Sequence, residues 1–247
     1  MIETIHTEKE ENKLSRDDVI YGVKMAIPIC IGYIPLGIAS GILSQKAGLS
    51  PIEIGLLSLC VFAGSGQFIT SSMLIAQSSM FSIIFTTFIV NLRHILMSST
   101  LSQYFSKCNK KFLLFFSHEI TDETFAINLM KFKEGVWNPR RAIILNVVSH
   151  STWILSNILG GVTGSIFNFN DTIINFVLTS MFICLLCLQL KGGIYILCAV
   201  ISGFTAINLS LIMDNNLYVI IATLLSATLC YFIEKFIKLR KGVESGN

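Results

Sequence analysis

Between Phe62 and Ser102 two long apolar runs are interrupted by polar groups that hydrocarbon does not tolerate without a partner. Gly64-Ser65-Gly66-Gln67 stands in the middle of the first run, and Asn91-Leu92-Arg93-His94 lies well inside the second. An arginine at mid-bilayer costs roughly 2.5–3.5 kcal/mol on the insertion scale, so it is seldom left facing lipid. Gly-Ser-Gly in an apolar span predicts a helix that loosens where protein or water, not lipid, satisfies its backbone. The stretch reads as the wall of a polar path through a membrane.

That reading requires a membrane protein, and the composition agrees. Hydrophobic residues make up 53% of the 247 and charged residues 13%, with a mean hydropathy of +0.69. A soluble domain of this size needs far more surface charge, and several runs exceed the ~20 residues that span hydrocarbon. The fold class is therefore an all-α polytopic integral membrane protein. About eight membrane-embedded helical segments are expected, some broken or re-entrant. Continuous runs without alternating polarity exclude a β-barrel. A net charge of +3 leaves nucleic acid without a basic surface to bind. Cys108 lies in a loop and the other six cysteines in apolar runs. Cys184-Leu-Leu-Cys187 has metal-site spacing but no other soft ligand nearby, so these cysteines read as small hydrophobes; no metal or cofactor is expected.

Residues 1–18 are polar and of mixed charge, and read as a cytoplasmic tail; 19–237 form a single bundle and 238–247 a polar C-terminal tail. Segment 1 (Val19–Leu43) carries Pro28, Gly32, Pro35, Gly37 and Gly41. It is either a kinked or unwound helix, or a proline-bent span that packs through Gly37 and Gly41. Ser50-Pro51 marks the start of segment 2, which runs to Ala76 and holds the Gly64–Gln67 break. In segment 3 (Met80–Tyr104), Thr87, Asn91, His94, Ser98 and Ser102 share one helical face. Arg93 lies on another face, roughly 14 Å from the segment's end, and is expected to pair inside the protein.

Segment 4 (Lys111–Met130) turns from apolar to Ser117-His118-Glu119-Ile120-Thr121-Asp122-Glu123-Thr124. As one helix it places His118 over Asp122 and Glu119 over Glu123. It is either interfacial with a solvated acidic face, or turned inward where Arg93 or a proton meets the acids; the spacing His118-Glu119-x-x-Asp122 also admits a metal site, the least favoured of the three. Segment 5 (Ala142–Phe167) carries a stripe of Asn146, His150, Trp153 and Asn157, then Gly160, Gly161 and Gly164. Its stepping directs these residues at one neighbour. Segments 6 (Thr172–Leu190), 7 (Gly193–Met213) and 8 (Leu217–Ile237) are plainer, and read as scaffold or as a surface for another membrane subunit. Eight full crossings leave Lys107, Lys110 and Lys111 outside, against the positive-inside rule. If segments 2 and 4 both fail to cross, every basic cluster is cytoplasmic, so the number of crossings stays open.

Tyr33-Ile-Pro35-Leu-Gly37, Ala47-Gly48-Leu-Ser-Pro51, Val61–Phe68 and Asn91–Ser98 resemble, in order, the motifs of the AzlC/YgaZ family, and Thr121–Phe125 fits the next one. The likeness runs from about residue 20 to 165. Ser65 departs from it, since family members usually have alanine there. The resemblance implies the larger subunit of a branched-chain amino acid exporter in the cell membrane, a small multi-spanning partner of the AzlD/YgaH type, and transport driven by an ion gradient. On that reading Pro35, Gly64, Ser65, Gly66, Gln67, Asn91 and His94 line the substrate path. Arg93, Asp122 and Glu123 serve ion pairing and coupling, with Asn146, His150, Trp153 and Asn157 behind them. Phe62, Phe68 and Met97 supply an apolar wall for a Leu, Ile or Val side chain. The competing readings are a membrane hydrolase using Ser65 with His94 or His150, which lacks a nucleophile elbow and a third orienting group, and a conduit with non-saturating flux.

Overall fold

The computed structural model describes residues 15–106, 108–166, 192–213 and 217–244, with scattered positions between 176 and 190. The chain divides into two units, Met1–Ile75 with Val90–Phe169, and Ala76–Ile89 with Asn170–Asn247. Each is taken by itself.

The first unit is built on two long helices. Ser15 caps α1 (Arg16–Lys46) by accepting from the Asp17 amide; Asp17 and Asp18 stand in its first turn and Lys46 in its last, each complementing the helix dipole. At 31 residues it is about 46 Å long. It stays helical through Pro28 and Pro35, so the unwound form of segment 1 is not adopted. Both prolines lie on its exposed side, seven residues apart, where the missing donors disturb no packed face.

Against α1 lies α8 (Pro139–Ile166). Glycines let the two backbones approach: a Cβ on Gly37 would fall 2.6 Å from that of Ser156, and one on Gly160 would overlap the Ile38 carbonyl. At their N-terminal ends Arg141 Nε donates to Asp18 Oδ1 at 2.7 Å and Asn138 Nδ2 at 3.0 Å, so that buried carboxylate is paired.

Between these helices the chain is cut into short pieces. α2 (Pro51–Cys60) opens with Pro51 at its first position and a Ser50/Glu53 capping box. α3 (Gly64–Ile75) follows after Val61-Phe62-Ala63. The break in segment 2 therefore precedes the expected one, and Gly64–Gln67 form the first turn of α3. At about 15 and 18 Å, neither helix alone crosses a ~30 Å hydrocarbon core.

Segment 3 divides at Leu92 into α4 (Met80–Asn91) and α5 (Arg93–Ser102), continued by a 3-10 turn to Phe105. Segment 4 is not one helix. α6 (Lys110–His118) ends at Glu119, and Thr121 caps α7 (Asp122–Lys133) through a reciprocal Thr121/Thr124 box. The i,i+4 pairings expected across His118–Glu123 are thereby lost.

In the second unit α9 (Gly193–Ser210) and α10 (Leu217–Glu244) pack on each other. Segment 6 falls largely outside the described residues. Among the described residues four stretches are long and apolar enough to cross a membrane: Arg16–Lys46, Met80–Phe105, Pro139–Ile166 and Gly193–Ser210. Segments 2 and 4, each cut into two short helices, are not spans of that kind.

Candidate functional site

The broken ends of α2, α3, α5, α6 and α7 bring together side chains that are far apart in sequence. Gln67, in the first turn of α3, has no exposed surface. Its Nε2 donates to Ser58 Oγ at 2.9 Å, and its Oε1 accepts from the Trp153 indole. One glutamine so ties both sides of the α2–α3 break to α8. A Cβ on Gly64 would lie 3.3 Å from the Trp153 ring, and one on Gly66 3.2 Å from Asn91 Nδ2. The glycines are therefore where side chains press on the backbone. Asn91 Oδ1 is buried without a hydrogen-bond partner.

Arg93, the first residue of α5, spans the next gap. Its Nη2 donates to Ser65 Oγ at 2.7 Å and its Nη1 to Asp122 Oδ2 at 2.9 Å, while Nε is buried and unpartnered. The guanidinium fork suits this, since it presents several donors in one plane. Asp122 and Glu123 are exposed residues in the first turn of α7, where they also complement the helix dipole. Glu123 Oε2 accepts from the buried Tyr33 hydroxyl at 2.7 Å, and Thr121 Oγ1 lies 2.7 Å from the Tyr33 hydroxyl oxygen. His94 is half-buried beside Arg93, within electrostatic range of His118.

The α8 stripe is buried throughout. Asn146 Oδ1 accepts from Asn128, whose own oxygen accepts from Trp137, so Asn146 serves a neighbouring group. Asn157 Nδ2 donates to the Trp153 carbonyl, leaving its Oδ1 unpartnered. His150 stacks on Phe62 with centroids 4.0 Å apart, and Tyr33 sets its edge against Trp153 at 5.2 Å. An aromatic wall of Tyr33, Phe62, His150 and Trp153 thus backs the break. Phe62, Phe68 and Met97 are all buried, whereas Pro35 is exposed and is not brought to this cluster.

Tyr33 carries no site assignment in the sequence, and Glu119 enters there only among the acids of segment 4. Tyr33 stands in a quoted motif, and its burial follows from the face of α1 that meets α8. Glu119 is 3% exposed and bonds both His118 and His150. The Thr121-Asp-Glu-Thr124 helix start was the signal that separates it from the exposed acids. His118, Glu119 and His150 bring ligand-type atoms within 4.8 Å of one another. Both imidazoles sit on the carboxylate at hydrogen-bond distance, so the trio is a hydrogen-bonded network.

Long apolar helices around buried amides, an arginine pair and broken segments define a helical integral membrane protein with a polar interior. The chain belongs to the AzlC family, whose profile ("AzlC protein") matches residues 28–167. It is 31% identical over 82% of its length to a membrane protein of Archaeoglobus fulgidus, covering 90% of that protein. It is 33% identical to the "Branched-chain amino acid transport protein AzlC" of Bacillus subtilis, over 64% of this chain and 62% of that one. The "Inner membrane protein YgaZ" of Escherichia coli is 31% identical, over 58% and 60% respectively. No solved structure matches the chain.

Proposed function

We propose that this chain is the larger subunit of a secondary transporter that exports branched-chain amino acids across the cell membrane, driven by the proton gradient. It would work with a small multi-spanning partner of the AzlD/YgaH type. Membership of the AzlC family, a relative of which is named for branched-chain amino acid transport, supports a transport role. The observation that carries the reading is the polar cluster at the start of α3, with the buried Gln67 fixed at both ends and Arg93 bridging Ser65 and the exposed Asp122. The amides of Gly64, Ser65 and Gly66 begin a helix and have no intrahelical carbonyl to meet, which suits a substrate carboxylate. Arg93 supplies a second positive group, and the acids of α7 suit the ammonium. The hydrolase alternative needs Ser65 on a histidine. Here Ser65 Oγ accepts from Arg93, and both ring nitrogens of His150 are engaged with Glu119 and Ser58.

The test is expression in cells with and without a candidate small partner, following intracellular leucine and tolerance of azaleucine. Lower leucine and higher tolerance, both lost when the proton gradient is collapsed, are expected. Unchanged leucine in the presence of the partner would contradict the proposal.

A further inference from the structure

Glu119 bridges two imidazoles, and the geometry fixes how many protons the group needs. Its Oε1 lies 3.1 Å from His118 Nδ1 and its Oε2 2.8 Å from His150 Nδ1. The far ring nitrogens both meet backbone carbonyls of the last turn of α2: His150 Nε2 is 3.0 Å from the Ser58 oxygen, and His118 Nε2 3.3 Å from that of Cys60. A carbonyl oxygen only accepts, so both Nε2 atoms carry hydrogen. A neutral ring protonated at Nε2 has a bare lone pair at Nδ1, and an ionised carboxylate has only lone pairs to set against it. Each Nδ1–oxygen contact therefore needs a proton of its own, on nitrogen or on oxygen. Without those protons the trio carries a charge of −1 and two repulsive contacts. One proton makes it neutral, and a second makes it +1.

We infer that His118, Glu119 and His150 form a proton-binding site, and that the proton coupled to transport is held there, on Glu119 and the imidazole it faces. The second clause rests on the transport reading above. The site is placed to act on the substrate path. If His150 loses its extra proton and keeps a hydrogen at Nδ1 for Glu119, Nε2 turns a lone pair on the Ser58 carbonyl. That weakens the hold on the end of α2. Ser58 also accepts from Gln67 through its hydroxyl, so the change reaches the first turn of α3. Phe62, in the break itself, stacks on the same imidazole. His118, on the exposed side, gives protons a way in. The titratable groups that face the site are these two histidines, from α6 and α8. His94 of α5 lies within electrostatic range of His118.

The test uses the full chain reconstituted together with its small partner in proteoliposomes with an internal pH dye, measuring protons moved per leucine, alongside leucine–leucine counterflow. Glu119→Gln keeps the shape and can donate to one Nδ1 without binding a proton. It should lower the proton-to-leucine ratio by at least about tenfold in the leucine flux that remains. An unchanged ratio in Glu119→Gln overturns the inference and leaves the transport reading standing, whereas wild-type leucine flux with no proton movement overturns both the inference and the proton-driven part of that reading. Absence of any leucine flux in wild type sinks the transport reading instead. The proton site is then judged by nitrogen-15 spectra of the chain's four histidines in micelles. An extra imidazole proton that Glu119→Gln removes sustains it, and identical spectra from pH 5 to 8 overturn it. A transition metal retained at one per chain and lost in Glu119→Gln also overturns it. If Glu119→Gln does not reach the membrane, His118→Gln takes its place and should shift the pH midpoint of gradient-driven flux by at least about half a unit; no shift counts against the inference.

Discussion

Replacing Gln67 with methionine keeps the length of the side chain and removes both of its hydrogen bonds. The Trp153 indole N–H and the Ser58 hydroxyl would then be stranded in a region with no solvent exposure. In a water-soluble protein each stranded group costs about 1–3 kcal/mol. In membrane proteins side-chain hydrogen bonds average about 0.6 kcal/mol and reach about 1.7, because the membrane-inserted unfolded chain also finds partners. Gln67 makes one bond to a hydroxyl and one to an indole, both buried, so the upper half of that range applies. The expected loss for Gln67→Met is about 2–3 kcal/mol. Trp153→Phe removes the indole donor as well, so in the double variant the two changes should fall short of additivity by about 1 kcal/mol. The assay is unfolding of purified protein in detergent, followed by the fluorescence of its two tryptophans for Gln67→Met and by circular dichroism for variants lacking Trp153. A Gln67→Met variant within about 0.5 kcal/mol of wild type, or strict additivity, would refute the claim that Gln67 joins the break to α8.

Gly160→Ala sets a Cβ against the Ile38 carbonyl and should cost about 1–3 kcal/mol of stability in the same melts, whereas Gly32→Ala, with nothing within 4 Å of the added carbon, should be neutral or slightly stabilising. Arg93→Lys replaces a fork with a single ammonium that cannot hold Ser65 and Asp122 in one plane; leucine efflux should fall about tenfold with the protein still in the membrane. Asp122→Asn together with Glu123→Gln leaves Arg93 and Tyr33 without their carboxylates and should abolish efflux at unchanged membrane abundance; normal efflux would remove these acids from the mechanism.

Long apolar runs made the membrane class plain, because nothing but a helix can satisfy its own backbone over that length in lipid. The stripe on segment 5 was legible for the same reason: α8 is a regular helix, so steps of three and four map onto one buried face. Reading failed where helices end. Gly64-Ser65-Gly66 marks a discontinuity, but glycine is also tolerated in a first helical turn, and the chain actually breaks over Val61–Ala63. Segment 4 was read with one continuous period, which set Glu119 over Glu123. The Thr121/Thr124 box restarts the helix, rotating Glu119 into the interior and leaving Asp122 and Glu123 at the surface. For α1 the two prolines left open an interrupted helix and a continuous one packing through Gly37 and Gly41, and the continuous one forms, with both prolines facing outward. Which residues meet across 28 to 92 positions of sequence, such as Arg93 with Ser65 or His150 with Ser58, no local pattern reveals.

The central claim is that the polar cluster at the start of α3 receives a branched-chain amino acid. Cysteine accessibility at Ser65 tests it most directly, using Ser65→Cys in a chain whose seven native cysteines have been replaced. A small water-soluble thiol reagent should modify Cys at this position in membranes, and saturating leucine, but not glutamate, should slow the modification at least about fivefold. Modification at the same rate with and without leucine would contradict the account.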